Sequence, residues 1–429
     1  MFTLLRRWAR STSGNFSQIA ALLTVPLVGA IGLAVDYSQA LEVRRQLFEA
    51  ADAAAVGAIA DSSPAYDQTA LMEDDGPVPA GEKDAISLFS ANVRSEWAVQ
   101  VSAVKAEVRK AGSDLTAKVS FTARIPMTFM RILGYEYLDV KGEATSARRT
   151  APFIDFYLLL DNTPSMGVGA TTADISRMVA NTPDKCAFAC HDLSTAKNYY
   201  NLAKQLDVAM RIDVVREATQ RMTDTAVDRR AHSNQFRMAL YTFGDAATNR
   251  KLTNLAPLTM DLKKVNEAAD AVDLMTIPYQ NFDSDQLTDF DGTFAALDKE
   301  IDKPGNGTST KDRQKVVFFV SDGVADSYKP SDCSKLTTKG RCQEPIDLDD
   351  CTKLKERGIR IAVLYTTYLP LPTNAWYNTW IKPFQGQIAT NMSACASPGY
   401  FFEVSPSEGI SEAMEALFMK VISVPRLTG

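Results

Sequence analysis

The sequence predicts an α/β domain on a mostly parallel sheet, preceded by a transmembrane helix and a small α+β unit. Three observations carry this reading. Apolar, β-rich runs at 153–160, 236–243, 315–321 and 360–365 alternate with helical patterns, the signature of parallel strands covered on both faces. Residues 11–35 carry no charge. Between 97 and 147 lie three stretches of alternating polarity, which suit an antiparallel sheet with one wet face.

Composition narrows the function classes. The 429 residues are 45% hydrophobic and 23% charged, a composition that folds and does not stay disordered. A net charge of -6, from 46 basic and 52 acidic residues, excludes a global basic footprint, so no nucleic acid partner is expected. The two histidines, His191 and His232, are too few for most imidazole-built metal sites. A Ser-His-Asp triad would have to use one of them.

The first segment, residues 1–60, reads as a short tail, a transmembrane helix and its extension. Arg6, Arg7 and Arg10 precede the uncharged stretch and Asp36 closes it. A helix over 14–35 rises about 33 Å, enough to cross a bilayer core, and Pro26 is tolerable there. The flanking arginines put the N-terminus in the cytoplasm and the bulk of the chain outside. A retained anchor is expected over a cleaved signal peptide. No small-x-small site follows, and Ala, Leu, Glu, Arg and Gln continue a helical pattern to Ala60.

The second segment, 61–150, opens with a polar loop over 61–84. Ile86, Phe89 and Val93 then fall at helical spacing. Strands follow, the middle one marked by Leu115, Ala117, Val119, Phe121, Ala123 and Ile125 on one face. No catalytic constellation is legible here.

The third segment, 151–429, holds the parallel-sheet pattern, with a last short strand at 400–404 and helices over 198–226, 261–273, 293–301, 348–357 and 407–422. Ligands of such sheets bind beyond the C-terminal strand ends, and three motifs fall there. Asp161-x-Thr163-x-Ser165 follows the first strand, Asp291-Gly292-Thr293 opens a helix, and Ser321-Asp322-Gly323 ends the third long strand run. They offer carboxylates and hydroxyls without sulfur or imidazole, a hard-cation set suited to Mg²⁺ or Ca²⁺.

On these residues the segment from about 153 to 424 resembles a von Willebrand factor A domain, which implies a doubly wound sheet. Asp161, Thr163 and Ser165 match that family's Asp-x-Ser/Thr-x-Ser motif, with Thr where Ser is commoner. Thr293 and Asp322 match its second and third loops, Thr293 being preferred to nearby Thr288 because a glycine precedes it. The resemblance implies a metal-ion-dependent adhesion site, with Mg²⁺ first and Mn²⁺ or Ca²⁺ as alternatives, completed by an acidic residue of a protein partner.

The N-terminus is similar to TadG-like proteins of the tight-adherence (Flp) pilus system. Gly14-Asn-Phe-Ser, Gly32-Leu-Ala-Val-Asp-Tyr and Gln46-Leu-Phe-Glu-Ala-Ala-Asp carry the likeness. It implies a single-pass protein of the bacterial inner membrane, its bulk periplasmic, working in pilus assembly. Ile19 stands where prepilins carry Glu, five residues after a processed glycine, so no prepilin-type cleavage is expected.

All six cysteines, Cys186, Cys190, Cys333, Cys342, Cys351 and Cys395, lie in the exported part and are disulfide candidates, with 15 pairings open. For Cys186, Cys190 and His191 a disulfide is expected over zinc ligation. The functional expectation is a binding and assembly protein, not an enzyme. The alternative is a metal-dependent, phosphatase-like hydrolase on the same sheet. No Lys or Arg stands in the motifs to neutralise a phosphoryl group, and no phosphate-cradling glycine loop is present.

Overall fold

The computed structural model describes residues 15–93, 99–335, 337, 339–372, 374–404 and 409–423. The arginines at 6, 7 and 10, Gly14 and residues 405–408 lie outside them. The chain divides into two compact units, Met1–Thr150 and Ala151–Gly429.

In the first unit, helix α1 (Asn15–Gly57) runs unbroken through Pro26 for about 64 Å. From Ile19 to Ile31 it is exposed on nearly all sides, and one face is buried beyond that. Ala40, Val43, Leu47, Ala51, Ala54 and Ala58 recur at three- and four-residue intervals on that face. Helices α2 (Pro64–Thr69) and α3 (Pro79–Asn92) follow, with the two-residue strand β1 (Gly76–Pro77) between them. The stretch read as a loop therefore holds a short helix and the start of α3. Pro79 begins α3 at a position where its missing N–H is no loss.

Strands β2 (Gln100–Ala111), β3 (Asp114–Pro126) and β4 (Tyr137–Arg149) complete an antiparallel sheet. The alternating residues of β3 face α1 and α3 in one core. Phe121 meets Phe48 edge-on and stacks on Phe89. Gly142 on β4 makes room for this packing, since a Cβ there would fall 2.6 Å from Phe121 and 2.7 Å from Phe48. The anchor and the α+β segment, read separately from sequence, thus share a core.

The second unit contains strands β5 (Ile154–Leu160), β6 (Phe236–Thr242), β7 (Thr253–Thr259), β8 (Gln314–Ser321), β9 (Val324–Tyr328), β10 (Arg341–Pro345), β11 (Arg360–Thr366) and β12 (Phe401–Val404). Its main sheet has the order β12-β11-β8-β5-β6-β7. All neighbours are parallel except β7, an antiparallel edge strand that sequence patterning missed. Strand order reverses at the β5–β8 junction.

One core packs the sheet against α6 (Arg211–Arg229), α7 (Leu262–Ala269) and α11 (Ile410–Ile422). The other packs it against α8 (Phe290–Glu300), α9 (Asp349–Glu356) and α10 (Gln385–Cys395). Helices α4 (Thr172–Asn181) and α5 (Tyr199–Gln205) precede α6. The helix expected over 198–226 breaks between α5 and α6. Asp207 turns left-handed at φ 52°, and residues 209–211 pair with the backbone of 168–170. Tertiary pairing here outweighs a continuous helical pattern.

At the N-terminal end of β5, fully buried Asp155 receives both Arg237 nitrogens at 2.6–2.7 Å and Lys315 Nζ at 2.6 Å, with Arg313 at 3.5 Å. The cations come from β6 and from β8 with its flank, the two neighbours of β5, so one carboxylate ties three strands together.

Two disulfides form. Cys333–Cys342 closes the β9–β10 hairpin, and Cys351–Cys395 joins α9 to α10 across 44 residues. Cys186 and Cys190 are free thiols, against the expectation of a bridge. The Val168–Phe188 bridge and the Ala189 N–H bond to Gly167 fix the intervening backbone. The Cys186 sulfur faces Phe188 O, while that of Cys190 accepts from Gln280.

Asp155→Ala is expected to destabilise the second unit by roughly 3–5 kcal/mol, because it strands buried cations; its denaturation midpoint reads this. Reducing Cys351–Cys395 should cost about 4 kcal/mol on the loop-closure estimate. In denaturant without reductant, alkylation should label Cys186 and Cys190 and spare the other four. Six labelled cysteines, or none, would contradict the pairing.

Candidate metal centre

Strands β5 and β8 lie side by side in register, Leu160 opposite Val320. The residues that follow, Asp161 and Asp322, therefore emerge together at the C-terminal edge, where the strand order reverses. Both are fully buried.

Asp161 is held on both oxygens. Oδ1 accepts from Thr163 N–H at 3.0 Å and from its hydroxyl at 2.8 Å; Oδ2 accepts from the Ser321 hydroxyl at 2.6 Å. Ser321 Oγ in turn accepts the Gly323 N–H at 3.0 Å. Gly323 sits at φ +74°, and a Cβ there would press on Met392 and Ile388 at 2.7–2.8 Å, so the turn that aims Asp322 needs glycine. Ser165 stands near Asp322, its hydroxyl 3.4 Å from that of Thr163. Half-buried, Ser165 borders an open cavity of about 640 Å³.

Thr288, not Thr293, joins this cluster. Its hydroxyl donates to Thr163 Oγ1 at 2.9 Å, and it too lines the cavity. Thr293 is buried in the first turn of α8. Among the described residues no hydrogen bond joins its hydroxyl to Asp161, Thr163, Ser165 or Asp322. The glycine that favoured Thr293 serves a different purpose. Asp289 caps α8 by accepting the Gly292 N–H, and a Cβ on Gly292 would fall 2.3 Å from that carboxylate. Thr288 is instead positioned by a two-way backbone pairing with Asp326.

Two further residues escaped sequence reading. Asn162 receives Phe243 N–H and donates to Gly244 O and Asp273 O, locking the loop after β5 to those after β6 and α7. Arg211, fully buried, reaches Asp322 Oδ2 at 3.3 Å and Thr367 O at 3.1 Å. The available signal was an arginine beside Met210, Ile212 and Val215 at the start of an apolar helix face. The break before α6 is what aims it at the strand edge.

Burial pushes Asp161 up from the usual carboxylate range and Asp322 to about 6, with Arg211 partly offsetting the rise in both. Two buried carboxylates thus share one buried cation. The set of Asp161, Thr163, Ser165, Thr288 and Asp322 offers oxygen donors alone, which fits a hard divalent ion. The thiols and His191 do not form such a set. Among the described residues their ligand atoms do not converge, His191 stacks on Tyr200, and burial pushes Cys190 to about 12.

On the cavity wall Asp326 accepts two Arg341 nitrogens and Gln343. Arg341 also lies 4.6 Å over the Trp376 ring. The wall is thus stiffened by side chains carried on the disulfide-closed hairpin.

Residues 14–61 match the family model described as Flp pilus-assembly TadE/G-like. The N-terminal segment is TadE/G-like. No curated protein matches the chain. Among solved structures, the chain is similar to the vWF domain of the type V pili tip protein Mfa5 from Porphyromonas gingivalis. That match has 10% identity and a TM-score of 0.37, covering 65% of this chain and 99% of that one. It is also similar to a mutant of the PilB minor pilin from Streptococcus sanguinis, at 10% identity and TM-score 0.35, over 75% and 78% of the two chains. A third is proximal thread matrix protein 1 from the mussel byssus, with a zinc-occupied MIDAS motif, at 11% identity and TM-score 0.35, over 64% and 49%. The TadE/G-like match covers the apolar part of α1 and its buried continuation; the acidic cluster lies in the other unit.

Asp161→Asn should raise the melting temperature of the protein in chelator at pH 8, since no charge then needs burying. Because the folded state raises the Asp161 pKa, the wild type is relatively more stable at low pH and loses that advantage as pH rises. The gap between variant and wild type should therefore narrow as pH falls. A melting series over pH, in detergent, measures it.

Proposed function

We propose that this is a membrane-anchored envelope protein of tight-adherence pilus assembly. Its larger, von Willebrand A-like unit grips a protein partner through a divalent cation. The carrying observation is the Asp161–Asp322 pair: two buried carboxylates against one arginine, ringed by the hydroxyls of Thr163, Ser165, Thr288 and Ser321 and open to a cavity through Ser165 and Thr288. A bound ion would supply the missing positive charge. Asp322, Ser165, Thr163 and Thr288 are the residues that would hold it, with Asp161 orienting the Thr163 hydroxyl. Mg²⁺ suits so few protein carboxylates, because it keeps exchangeable waters. A carboxylate of the partner, entering by the cavity, would take such a place.

The binding reading is favoured over hydrolysis by the state of Asp161. A carboxylate nucleophile must reach its substrate, whereas this one is fully buried with both oxygens already accepting hydrogen bonds. The TadE/G-like segment and the apolar stretch of α1 support anchoring in the inner membrane. The acid at position 36 after three arginines supports a periplasmic bulk.

Titration calorimetry of the detergent-solubilised chain with Mg²⁺, Mn²⁺ and Ca²⁺ tests the site. Wild type should bind at least one ion, and Asp322→Ala should lose that binding while keeping its circular dichroism. Partner capture and pilus assembly should fail with the same variant. Binding to none of the ions, together with normal assembly by Asp322→Ala, would reduce the unit to a scaffold. A periplasm-dependent reporter fused to the C-terminus should be active; activity only for a cytoplasmic reporter would reverse the topology.

A further inference from the structure

The loop between β3 and β4 carries an exposure pattern that the α+β unit does not explain. Together with the first two residues of β4 it spans 127–138 and presents Ile132 at 85% exposure, Leu133 at 63% and Tyr135 at 61%, with Phe129, Tyr137 and Leu138 also open. Six large apolar or aromatic side chains within ten residues form an unusual surface for a water-facing unit. The stretch holds one base, Arg131, and one acid, Glu136, so it carries no net charge.

Its position explains the pattern. From Ile19 helix α1 is bare on nearly every side until Gly32, where its burial begins. What covers it there is this loop. A Cβ on Gly32 would lie 2.7 Å from Phe129 Cβ, and the Asp36 carboxylate accepts the backbone N–H groups of Thr128, Phe129 and Met130 at 3.1, 2.8 and 2.6 Å. Asp36 is buried by that contact. The loop is therefore clamped to the last turn of the apolar stretch, within about 5 Å along the axis of its end at Val35. That is the level of the headgroup and acyl boundary, where tyrosines and snorkelling arginines are favoured.

We infer that residues 127–138 form a second membrane contact, a loop seated in the leaflet from which α1 emerges and held there by the Asp36 clamp. It rests on the reading of 14–35 as bilayer-spanning, and its occupant is lipid. The contact would set the rotation and tilt of the anchor and hold the α+β unit on the bilayer surface.

The test uses the full chain in vesicles of phosphatidylethanolamine and phosphatidylglycerol, with a diazirine amino acid at one position at a time. Position 27, inside the anchor, reports the span. Position 132 reports the loop. Position 71 is an exposed leucine at the other end of the unit, next to Met72, whose carbonyl binds Lys110 beside the β2–β3 turn. Mass spectrometry should find lipid adducts at 27 and 132, several-fold above 71. Asp36→Ala should lower the yield at 132 several-fold and leave that at 27 unchanged. Adducts at 27 with none at 132, or with protein crosslinks at 132 in their place, overturn the inference while leaving the anchor intact. No adduct at 27 overturns the anchor itself and the loop contact with it.

Discussion

The second unit depends on placing two carboxylates beside each other in an apolar core. Asp161 and Asp322 lie side by side because β5 and β8 pair in parallel register, and any slip of that pairing would separate them. Burying both charges is expensive. The surroundings reduce that cost in a specific order: hydroxyls and N–H groups around Asp161, a single arginine beside Asp322. These partners come from three segments, Thr163 after β5, Ser321 at the end of β8 and Arg211 at the start of α6, which is why the loops around the edge are built so tightly. Asn162 staples one of them, Gly323 sharpens another, and the break at Asp207 turns Arg211 inward.

The opposite end of the same sheet solves the converse problem. Asp155 is a lone buried acid among three cations, fully hydrogen-bonded and closed. The contrast is chemically informative. A carboxylate with excess positive charge is a tie; a carboxylate pair with too little keeps an uncompensated charge in the core. Both sit on the same two strands, so the sheet is fastened by cations at one end and carries a carboxylate pair with a single buried arginine at the other.

In the first unit the continuity of α1 matters most. One helix is bare along its apolar half and packed into a sheet along the remainder. The change occurs within a few residues, at Gly32 and Asp36, where a missing side chain and a small acid admit the backbone of a loop. A larger residue at either place would hold that loop away from the helix. The two disulfides act at another scale: one closes the hairpin that forms part of the cavity wall, and the other ties α9 to α10 around the core strand β11.

Much of this was legible in the sequence. Apolar runs and their alternation with helical patterns marked the parallel strands, because a strand covered on both faces has no polar side to show. Asp161, Thr163, Ser165 and Asp322 were readable because each follows a strand directly, and strand ends of such sheets converge. Local signals failed where a residue is recruited from elsewhere. Gly292 pointed to Thr293, yet it serves a helix cap, and Thr288 reaches the cluster through a bridge to Asp326 that leaves no mark in spacing. Arg211 looked like part of a long helix until backbone pairing broke that helix. The pairing of four cysteines and the freedom of the other two likewise follow from which segments lie together. Sequence alone determined most of the sheet strands and the chemistry of their ends; the tertiary structure added β7, broke the helix before α6 and decided which ends meet, because partners more than a hundred residues apart are chosen by packing and not by local preference.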